Sequence, residues 1–301
     1  MRVLLTGATG FAGGAILRSL LAAGMHVRAP VRKALPAAPR LEVVLIDDLL
    51  TADWQTLCAD IDIVIHAAAY AHDDRADPHM IFRVNRDATA NLAKAASACG
   101  ARFIFLSSIR AQAGVTAPIP LRDGDRPQPD GPYGEAKLAA EAAIRDACAN
   151  HVVLRLAPLY GHGVKGNLAS LFHVARRGVP LPFGAVHAQR SLLRVETLAT
   201  LTVRLVHDHD VQGTFLTAEP GALSIGEMIA ALRTAWGQSA RLVPIPASML
   251  RSLCLALRRP MLWARIGEPL IVADDQALQR HYPDVFKPSS EGLTLWAHQA
   301  D

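Results

Sequence analysis

The sequence predicts an α/β protein with a doubly wound parallel sheet and a smaller α+β lobe. Apolar strand-like runs alternate with helical segments through the first half of the chain, and a glycine-rich turn joins the first strand to the first helix. Strands that alternate with helices at this spacing pair in parallel through right-handed crossovers. With 301 residues, of which 51% are hydrophobic, the chain is long enough for this sheet and a second lobe. A ligand site is then expected at the carboxyl ends of the strands.

The predicted strands of the first half are short apolar runs bounded by turn residues. They cover residues 3–5, 26–31, 42–46, 61–66, 102–106 and 152–156. Helices are predicted from the glycine turn to Gly24, over residues 80–97, and from Tyr133 to about Ala149. The five prolines within residues 113–132 predict a surface loop that leads into a site. From Gly161 onward the alternation loosens, which indicates the smaller lobe.

The glycine-rich turn has the chemistry of a phosphate-binding turn. Gly7 permits a tight turn, Gly10 lets the backbone approach a pyrophosphate, and Gly13 removes a side chain that would separate helix from strand. The N–H groups at the start of the following helix favour an anion there. The alternative is a strand-to-helix turn that binds no ligand. The residues predicted to contact a dinucleotide here are Gly7, Thr9, Gly10, Phe11, Ala12 and Gly13.

A second group of residues carries proton-transfer chemistry. Tyr133 and Lys137 are four residues apart on a predicted helix, so they share one face. The charge of Lys137 is expected to lower the pKa of the Tyr133 phenol, so that the phenol exchanges a proton near neutral pH. Ser108, at the end of the fifth strand, could hydrogen-bond the same substrate oxygen. Taken alone, the Tyr–Lys pair could equally be a pair on a helix surface.

Composition and charge argue against several other classes of protein. The four cysteines are scattered without a CxxC pair, which favours buried reduced thiols over a metal site or disulfides. The net charge of +4 comes without a basic run, which suits a phosphorylated small molecule and gives no reason to expect nucleic acid. Neither a membrane-spanning stretch nor a signal peptide is recognisable, so a cytoplasmic location is expected.

In their order and spacing, these residues resemble the extended short-chain dehydrogenases/reductases, in the nucleotide-sugar epimerase/dehydratase group. The similarity covers nearly the whole chain and rests on the TGxxGxxG turn, Asp47-Asp48-Leu49, His66-Ala67-Ala68, Asn85, Ser107-Ser108 and the Tyr133/Lys137 pair. It implies a Rossmann domain in which Ser108, Tyr133 and Lys137 are catalytic. Lys137 would also hold the nicotinamide ribose, and Asp48 would meet the adenine. Leu49, Ala67, Ala68 and Asn85 are the further cofactor-binding residues that it implies.

The second half resembles bacterial enzymes that act on UDP-linked acetamido sugars, through residues 166–168, 178–184 and 189–193. The similarity implies that Asn167 and Arg190 contact the diphosphate, that Phe183 lies against the uracil, and that Arg265 is a second phosphate contact. A guanidinium suits phosphate and an aromatic face suits a base. The alternatives are an ordinary core aromatic for Phe183 and a surface salt bridge for Arg190.

Two departures from the family pattern are informative. The second strand ends in Arg28-Ala29-Pro30-Val31-Arg32, without the acid that holds the ribose hydroxyls in NAD-binding members. Arg32 favours a 2′-phosphate, so NADP is the expected cofactor and NAD the alternative. The Asp-Glu pair that dehydratases carry after the catalytic hydroxyl is replaced by Ile109 and Arg110, which disfavours dehydration.

The expected reaction is reduction of a 4-keto nucleotide sugar of the UDP-4-keto-6-deoxy-acetamido-hexose type, with NADPH as hydride source and Tyr133 as proton donor. The alternatives are 4-epimerisation of a UDP-hexose or UDP-N-acetylhexosamine, and a non-catalytic dinucleotide-binding sensor. A role in polysaccharide biosynthesis and a homodimer built through paired helices are expected from the resemblance.

The predicted domains are a nucleotide-binding domain over residues 1–165 and about 186–220, and a substrate lobe over about 166–185 and 221–301. Within the lobe, residues 249–265 alternate apolar side chains with Arg251, Arg258 and Arg259. This pattern is typical either of a helix that lies on a membrane surface or of a helix of the substrate lobe.

Overall fold

The computed structural model describes residues 1–70 and 77–299. The chain forms two compact units. Unit 1 contains Met1–Gly114, Asp125–Leu156 and Val195–Leu216. Unit 2 contains Val115–Gly124, Ala157–Arg194 and Thr217–Asp301.

The strands, in chain order, are β1 (Arg2–Thr6), β2 (His26–Val31), β3 (Leu41–Leu45), β4 (Ile63–His66), β5 (Arg102–Ser108), β6 (His151–Leu156), β7 (Leu159–Tyr160), β8 (Gln189–Arg190), β9 (Leu193–Arg194), β10 (Gly213–Thr217) and β11 (Leu223–Ser224). The helices are α1 (Phe11–Ala22), α2 (Trp54–Cys58), α3 (Pro78–Phe82), α4 (Ala88–Ala98), α5 (Ile109–Gln112), α6 (Pro132–Ala147), α7 (Asn167–Arg176), α8 (Val195–His207), α9 (Ile225–Ala235), α10 (Ala247–Ala256), α11 (Pro260–Gly267), α12 (Ala277–His281) and α13 (Ser289–Gln299), with a π-helical turn at Arg83–Asp87 between α3 and α4.

Unit 1 is built on a seven-stranded sheet in the order β10-β6-β5-β4-β1-β2-β3. The pairs β1–β2, β2–β3, β1–β4, β4–β5 and β5–β6 are all parallel. The chain runs outward from β1 to β3 on one side and from β4 to β6 on the other. The strand order therefore reverses between β1 and β4, which is where doubly wound sheets bind ligands. The predicted fold class is confirmed.

Helices cover both faces of this sheet because its central strands are apolar on both sides. On one face, Leu4, Val64, Phe103 and Phe105 pack in a core with side chains of α2, α4 and α6. On the other face α1 packs against α8. The buried guanidinium of Arg102 donates to carbonyls near the end of α8, including that of Leu205 at 2.8 Å, so that the loop after this helix is fixed to the sheet.

The predicted elements of unit 1 lie close to the observed ones. Strand β2 has the predicted bounds, and β3 is displaced by one residue. Strand β5 extends two residues beyond the predicted range 102–106. It therefore includes Ser108, which the sequence analysis had placed at the end of this strand. The helix predicted over residues 80–97 consists of α3, the π-helical turn and α4. The proline-rich residues 113–132 form no helix before α6 and only an isolated bridge, Leu121 to Val272.

Unit 2 begins and ends at different residues from the predicted substrate lobe. Residues 157–165 and 186–194, expected in the first domain, belong to unit 2, as do residues 115–124. The reason lies in very short strands: β7 pairs with β9, and β8 pairs with β11. The core of the unit surrounds Tyr160, whose hydroxyl donates to the Glu219 carboxylate at 2.6 Å, and includes Phe172, Met228 and Trp296.

The four cysteines are free thiols. Cys58, Cys148 and Cys254 are buried as expected, and burial raises the pKa of the Cys58 thiol to about 12. Cys99 is exposed, which corrects the expectation that all four are buried. Across residues 1–70 and 77–299, no helix is both long enough and apolar enough to cross a membrane.

Candidate active site

The glycine turn has the geometry that its three glycines predict. Gly7 adopts φ +73°, and a Cβ on it would lie 2.7 Å from the Ala68 nitrogen. A Cβ on Gly13 would lie 2.1 Å from the Gly7 carbonyl oxygen, so only glycine lets α1 approach the turn this closely. No side chain caps the start of α1 at Gly10, and its first turn holds no acidic residue. The N-terminal N–H groups of α1 therefore suit a phosphate.

A buried hydrogen-bond network joins the ends of β1 and β4, the two strands between which the strand order reverses. The His66 ring contacts the Thr6 hydroxyl at 2.6 Å through Nδ1 and the Thr89 hydroxyl at 2.9 Å through Nε2. Burial lowers the pKa of His66 to about 3, so the ring is neutral at physiological pH. Asn85 accepts from the Tyr70 nitrogen at 2.8 Å and donates to its carbonyl at 3.0 Å. The network fixes the segment after β4 in which Ala67 and Ala68 lie.

The residues predicted to contact the two ends of the cofactor's adenosine lie after β2 and β3. Arg32 directly follows β2 and is exposed, as is Lys33 beside it. Asp48 lies in the loop after β3, next to the half-buried Leu49, and its carboxylate accepts from the Leu50 nitrogen at 2.9 Å. The contacts of Arg32, Asp48 and Leu49 with a cofactor stay predictions.

Contacts of α5 link the end of β5 to the start of α6. Ser108 caps α5, accepting from the Arg110 nitrogen at 3.1 Å. The Arg110 guanidinium donates to the Asp130 carbonyl at 3.0 Å and pairs with its carboxylate at 2.9 Å, which fixes the loop before α6. A Cβ on Gly134 would lie 2.2 Å from the Arg110 carbonyl oxygen, so glycine is needed where α5 meets α6. Ser108 and Tyr133 are thereby brought together.

The pKa of Tyr133 differs from the sequence-based expectation. Burial raises it to about 12, while a hydrogen bond with Ser108 and the positive charge of Arg110 act in the opposite direction. Lys137 is not among the groups that shift it. The expected lowering by Lys137 was therefore wrong for this structure, because desolvation of the phenol outweighs the charge that does reach it. The neighbouring cation is Arg110.

Lys137 lies in the core of unit 1, with only 2% of its surface exposed. Its Nζ donates to the Leu106 carbonyl at 2.8 Å and lies 4.3 Å from the centroid of the Phe105 ring. Burial lowers the pKa of Lys137 to about 7, and the Glu141 carboxylate one helical turn away acts in the opposite direction. Lys137 is thus attached to β5, the strand that ends at Ser108.

A buried ion-pair network lies next to these residues and was missed in the sequence. Glu141 accepts from the Arg155 guanidinium, with Nη2 at 2.6 Å, and from the Ser107 hydroxyl at 2.5 Å. Arg155 also bonds the Gln112 side chain. Both charged side chains are almost fully buried. The network ties α6 to β5, β6 and α5, the elements around Ser108 and Lys137.

The two arginines predicted to bind phosphate are neighbours in unit 2. Arg190 lies on β8, and its guanidinium donates to the carbonyls of Ala264 at 3.1 Å, Glu268 at 2.9 Å and Val115 at 2.9 Å. Arg265 follows Ala264 in the last turn of α11 and is half-buried. Arg190 thus contacts backbone carbonyls at the end of α11. The sequence had suggested that its guanidinium binds phosphate or forms a surface salt bridge.

The other two predicted substrate residues also lie in unit 2. Asn167 is the first residue of α7 and is exposed. Phe183 is half-buried and packs beside the apolar side chains of two clusters, which include Leu242 and Ile245. Its ring therefore contributes to the packing of unit 2, as the alternative interpretation suggested. Its role against a base stays a prediction.

The sequence did contain signals for some of the residues that were missed. Glu141 is four residues after Lys137, so the two share a helix face, and Arg155 lies in an otherwise apolar strand. Charged residues at such positions are buried only when they are paired. Arg110 was noted only as a departure from dehydratases, although it lies two residues after Ser108. No cluster of three metal-ligating side chains occurs in the part of the chain that the structure describes.

Comparison with known proteins agrees with this geometry. Residues 1–260 match the family described as RmlD substrate binding domain. A UDP-glucose 4-epimerase of Vibrio cholerae is 34% identical over an alignment of 257 positions that covers 81% of this chain and 78% of that protein. Subunit beta of methionine adenosyltransferase 2 of Bos taurus is 29% identical, covering 84% of this chain and 75% of its own.

Two solved structures share the fold at low identity. The UDP-N-acetylglucosamine 4-epimerase of Bacillus cereus aligns with a TM-score of 0.77 and 21% identity, over 99% of each chain. The dTDP-4-dehydrorhamnose reductase of Bacillus anthracis, described in complex with NADP, aligns with a TM-score of 0.75 and 19% identity, also over 99% of each chain. The family match and the Vibrio relative, together with the sheet, the glycine turn and the Ser108/Tyr133/Lys137 group, lead to one conclusion. The chain belongs to the RmlD substrate binding domain family, within the extended short-chain dehydrogenases/reductases, a class of NAD(P)-dependent oxidoreductases and epimerases.

Proposed function

We propose that this protein reduces a 4-keto nucleotide sugar with NADPH, and that Tyr133 donates the proton to the ketone oxygen. Two features support this proposal: the exposed Arg32 and Lys33 directly after β2, where no carboxylate stands, and the burial of the Tyr133 phenol, which raises its pKa to about 12. A phenol with that pKa holds its proton at neutral pH. Reduction of a ketone needs a proton donor at its start, whereas oxidation of a hydroxyl, the first step of a 4-epimerase, needs a base. The resting state of Tyr133 therefore suits the reductase.

The other groups around Tyr133 support the same role. Ser108 hydrogen-bonds the phenol and would polarise the same substrate oxygen. As the proton leaves, negative charge develops on the phenol oxygen, and the positive charge of Arg110 favours that form. The bond of Lys137 to the Leu106 carbonyl holds α6 against β5, which keeps Tyr133 and Ser108 in register.

Several residues of this chain fit an NADPH molecule. The start of α1, uncapped by any side chain, and the close approach at Gly7 and Gly13 suit the pyrophosphate. Arg32, with Lys33 beside it, would hold the 2′-phosphate, and Asp48 the adenine. When bound, this cofactor supplies the hydride. Solved structures of the same fold are described with NADP or with NAD, so they support a nicotinamide dinucleotide, and the choice of NADP rests on Arg32.

The nucleotide part of the substrate is proposed to bind unit 2. Arg190 lies against the end of α11 through its bonds to backbone carbonyls, Arg265 lies in the last turn of that helix, and Asn167 provides an amide at the start of α7. Phe183 would lie against the base. The relatives are described as acting on UDP- or dTDP-linked sugars, so both diphosphates belong in the test. A place in polysaccharide biosynthesis follows from this substrate class.

The second candidate is 4-epimerisation of a UDP-hexose or UDP-N-acetylhexosamine. The observation that favours it is the relative from Vibrio cholerae, which is described as a UDP-glucose 4-epimerase and aligns over 81% of this chain. An epimerase would use the same Ser108, Tyr133 and Lys137, with Tyr133 first acting as a base. It would also return its cofactor to the starting state within each turnover.

A third candidate is a non-catalytic nucleotide-binding protein. Its support is the relative described as subunit beta of methionine adenosyltransferase 2, which aligns with 84% of this chain and whose description names no sugar. Such a protein would bind NADPH without consuming it. It would have no need of a Tyr133 phenol hydrogen-bonded to Ser108, which is why this candidate comes last.

The test is to incubate the purified protein with NADPH and a panel of UDP- and dTDP-linked 4-keto sugars, following the absorbance of the reduced cofactor. We expect protein that purifies largely without cofactor, consumes one NADPH for each sugar reduced, and leaves UDP-N-acetylglucosamine unchanged when given NAD⁺. Protein that carries bound NAD⁺ and interconverts gluco and galacto sugars without net change in reduced cofactor would establish the epimerase instead. Cofactor binding with no turnover of any sugar would establish the non-catalytic protein.

Two further properties are proposed from the family resemblance. The chain is expected to act in the cytoplasm and to form a homodimer through paired helices. Light scattering on the purified protein measures the oligomer directly. A monomer at all accessible concentrations would contradict the second expectation and leave the proposed chemistry untouched.

A further inference from the structure

Large apolar side chains are exposed to an unusual extent on one helical hairpin of unit 2. This hairpin, residues 247–267, consists of α10, α11 and the turn between them. Twelve large hydrophobic side chains are strongly exposed in the described residues, and six of them lie between residues 249 and 262. These six are Met249 (60%), Leu253 (55%), Leu255 (51%), Leu257 (62%), Met261 (49%) and Leu262 (38%). Such a concentration marks an interaction surface, whereas scattered exposed leucines need no explanation.

The hairpin is folded and attached, so the exposure concerns its outer side alone. Leu250, Cys254 and Trp263 are buried in a cluster with Val186. The Trp263 indole donates to the Glu268 carboxylate at 2.9 Å. In the turn, the nitrogens of Arg258 and Arg259 donate to the carbonyls of Leu255 at 2.9 Å and Cys254 at 2.8 Å. On α10, Met249 and Leu253 are one helical turn apart, so these two exposed side chains share a face beside the buried Leu250 and Cys254.

The charge of the hairpin indicates what this surface contacts. Residues 247–267 contain four arginines and no aspartate or glutamate. Arg251, Arg258 and Arg259 are exposed among the apolar side chains. A two-fold contact between two copies of this surface would bring these cations together without a carboxylate between them, which is unfavourable. The surface also lacks the exposed aromatic side chains that are enriched at protein interfaces.

We propose that the hairpin of residues 247–267 docks this protein on the surface of an anionic lipid bilayer. Aliphatic side chains that enter the boundary between headgroups and acyl chains, beside arginines that pair with anionic headgroups, are the features by which interfacial helices bind. The arginines at the turn and the leucines at both sides of it would enter together. This inference does not depend on which sugar the protein acts on.

The test is co-sedimentation of the full-length protein with vesicles of phosphatidylglycerol and phosphatidylcholine in equal parts, compared with vesicles of phosphatidylcholine alone. We expect binding to the anionic vesicles that is at least roughly tenfold stronger than to the neutral ones and that weakens at high salt. Leu253→Gln with Leu257→Gln, and separately Arg258→Gln with Arg259→Gln, should each lower the binding roughly tenfold or more.

Matched controls distinguish this surface from general stickiness. Arg176→Gln with Arg177→Gln removes another adjacent, exposed arginine pair of unit 2, and Ile119→Gln removes an apolar side chain that is 69% exposed elsewhere in that unit. Both controls should bind anionic vesicles like the unmodified protein. Equal binding by the hairpin variants and the unmodified protein, or no binding to either vesicle, would overturn the proposal. A dimer that is lost in the Leu253/Leu257 variant, without vesicle binding, would assign the surface to a second copy of the chain.

Discussion

Replacing Lys137 with methionine should change how the stability of the protein depends on pH. The lysine amine is buried, and its pKa is lowered from 10.5 to about 7 in the folded protein. Between these two values the unfolded chain holds a proton that the folded protein has released. Unfolding then takes up a proton, so the free energy of unfolding rises with pH in this range. Methionine fills a similar volume and has no proton to exchange.

The magnitude follows from the two pKa values. Each pH unit within the range changes the free energy of unfolding by up to about 1.4 kcal/mol for one proton. Below pH 7 both states hold the proton and the effect levels off. From pH 6 to pH 9 the unmodified protein should therefore gain about 2 to 3 kcal/mol relative to Lys137→Met. The variant is expected to be the more stable protein at pH 6, because it no longer has to bury a charge.

The assay is urea unfolding of both proteins at pH 6, 7, 8 and 9, with the difference in unfolding free energy plotted against pH. Subtraction removes the groups that titrate in both proteins. Lys94→Met, on the exposed side of α4, is the control for removing a lysine from a helix, and its difference from the unmodified protein should stay constant over this range. A difference for Lys137→Met that is also constant, or that falls as pH rises, would refute the reasoning.

The remaining predictions concern the cofactor and the proton donor. Arg32→Ala should weaken NADPH binding by roughly 1.5–3 kcal/mol and leave NADH binding almost unchanged, as measured by fluorescence titration. If the unmodified protein binds NADPH and NADH with equal affinity, Arg32 does not select the cofactor. Tyr133→Phe should bind NADPH almost normally and lose at least ~10²-fold in turnover. Tyr282→Phe, in unit 2, is the control and should keep its turnover. Near-normal turnover of Tyr133→Phe would mean that another group donates the proton. Gly13→Ala should lower the free energy of unfolding by about 1–3 kcal/mol and weaken NADPH binding. Gly14→Ala is its control, because the added Cβ would meet the Ala8 oxygen at an ordinary 3.5 Å. Similar losses of stability in the two variants would contradict the role given to the close approach of Gly13 to Gly7.

The sheet of unit 1 was predictable because its strands are short, largely apolar runs bounded by turn residues, and helical segments follow several of them. His26–Val31 was predicted to the residue. The tight turn at Gly7 was predictable as well, since backbone geometry is local, and Gly7 does take φ +73°. The order of motifs along the chain also predicted that Ser108 and Tyr133 lie close together, and Ser108 is among the groups that act on the pKa of Tyr133.

The boundaries of unit 2 could not be predicted in the same way. The strands that define it, such as Leu159–Tyr160 and Leu193–Arg194, are two residues long and pair across more than thirty residues of sequence. A two-residue strand is too short for alternation to be recognised. The hydrogen bonds of Arg190 to the carbonyls of Ala264 and Glu268 could not be predicted for the same reason, because they join segments far apart in the chain.

Electrostatics in the site were predicted from spacing, and spacing does not report burial. Tyr133 and Lys137 are one helical turn apart, yet burial determines both pKa values. Glu141 could have kept Lys137 charged, but its carboxylate already pairs with Arg155 and accepts from Ser107. Two buried cations share one carboxylate, so its attraction for the lysine does not offset desolvation.

The order of the two shifted pKa values determines where the proton lies. Burial disfavours a charge on either group, so it raises the pKa of the Tyr133 phenol to about 12 and lowers that of the Lys137 amine to about 7. The ammonium form of Lys137 is therefore the stronger acid of the two, and the phenol keeps its proton even where the lysine has begun to lose one. In the proposed reduction, a Tyr133 that has given its proton to the ketone is a strong base, so its reprotonation is favourable. Burial of the phenol thus favours a protonated Tyr133 at the start of each turnover, the state that reduction requires and that oxidation of a hydroxyl does not.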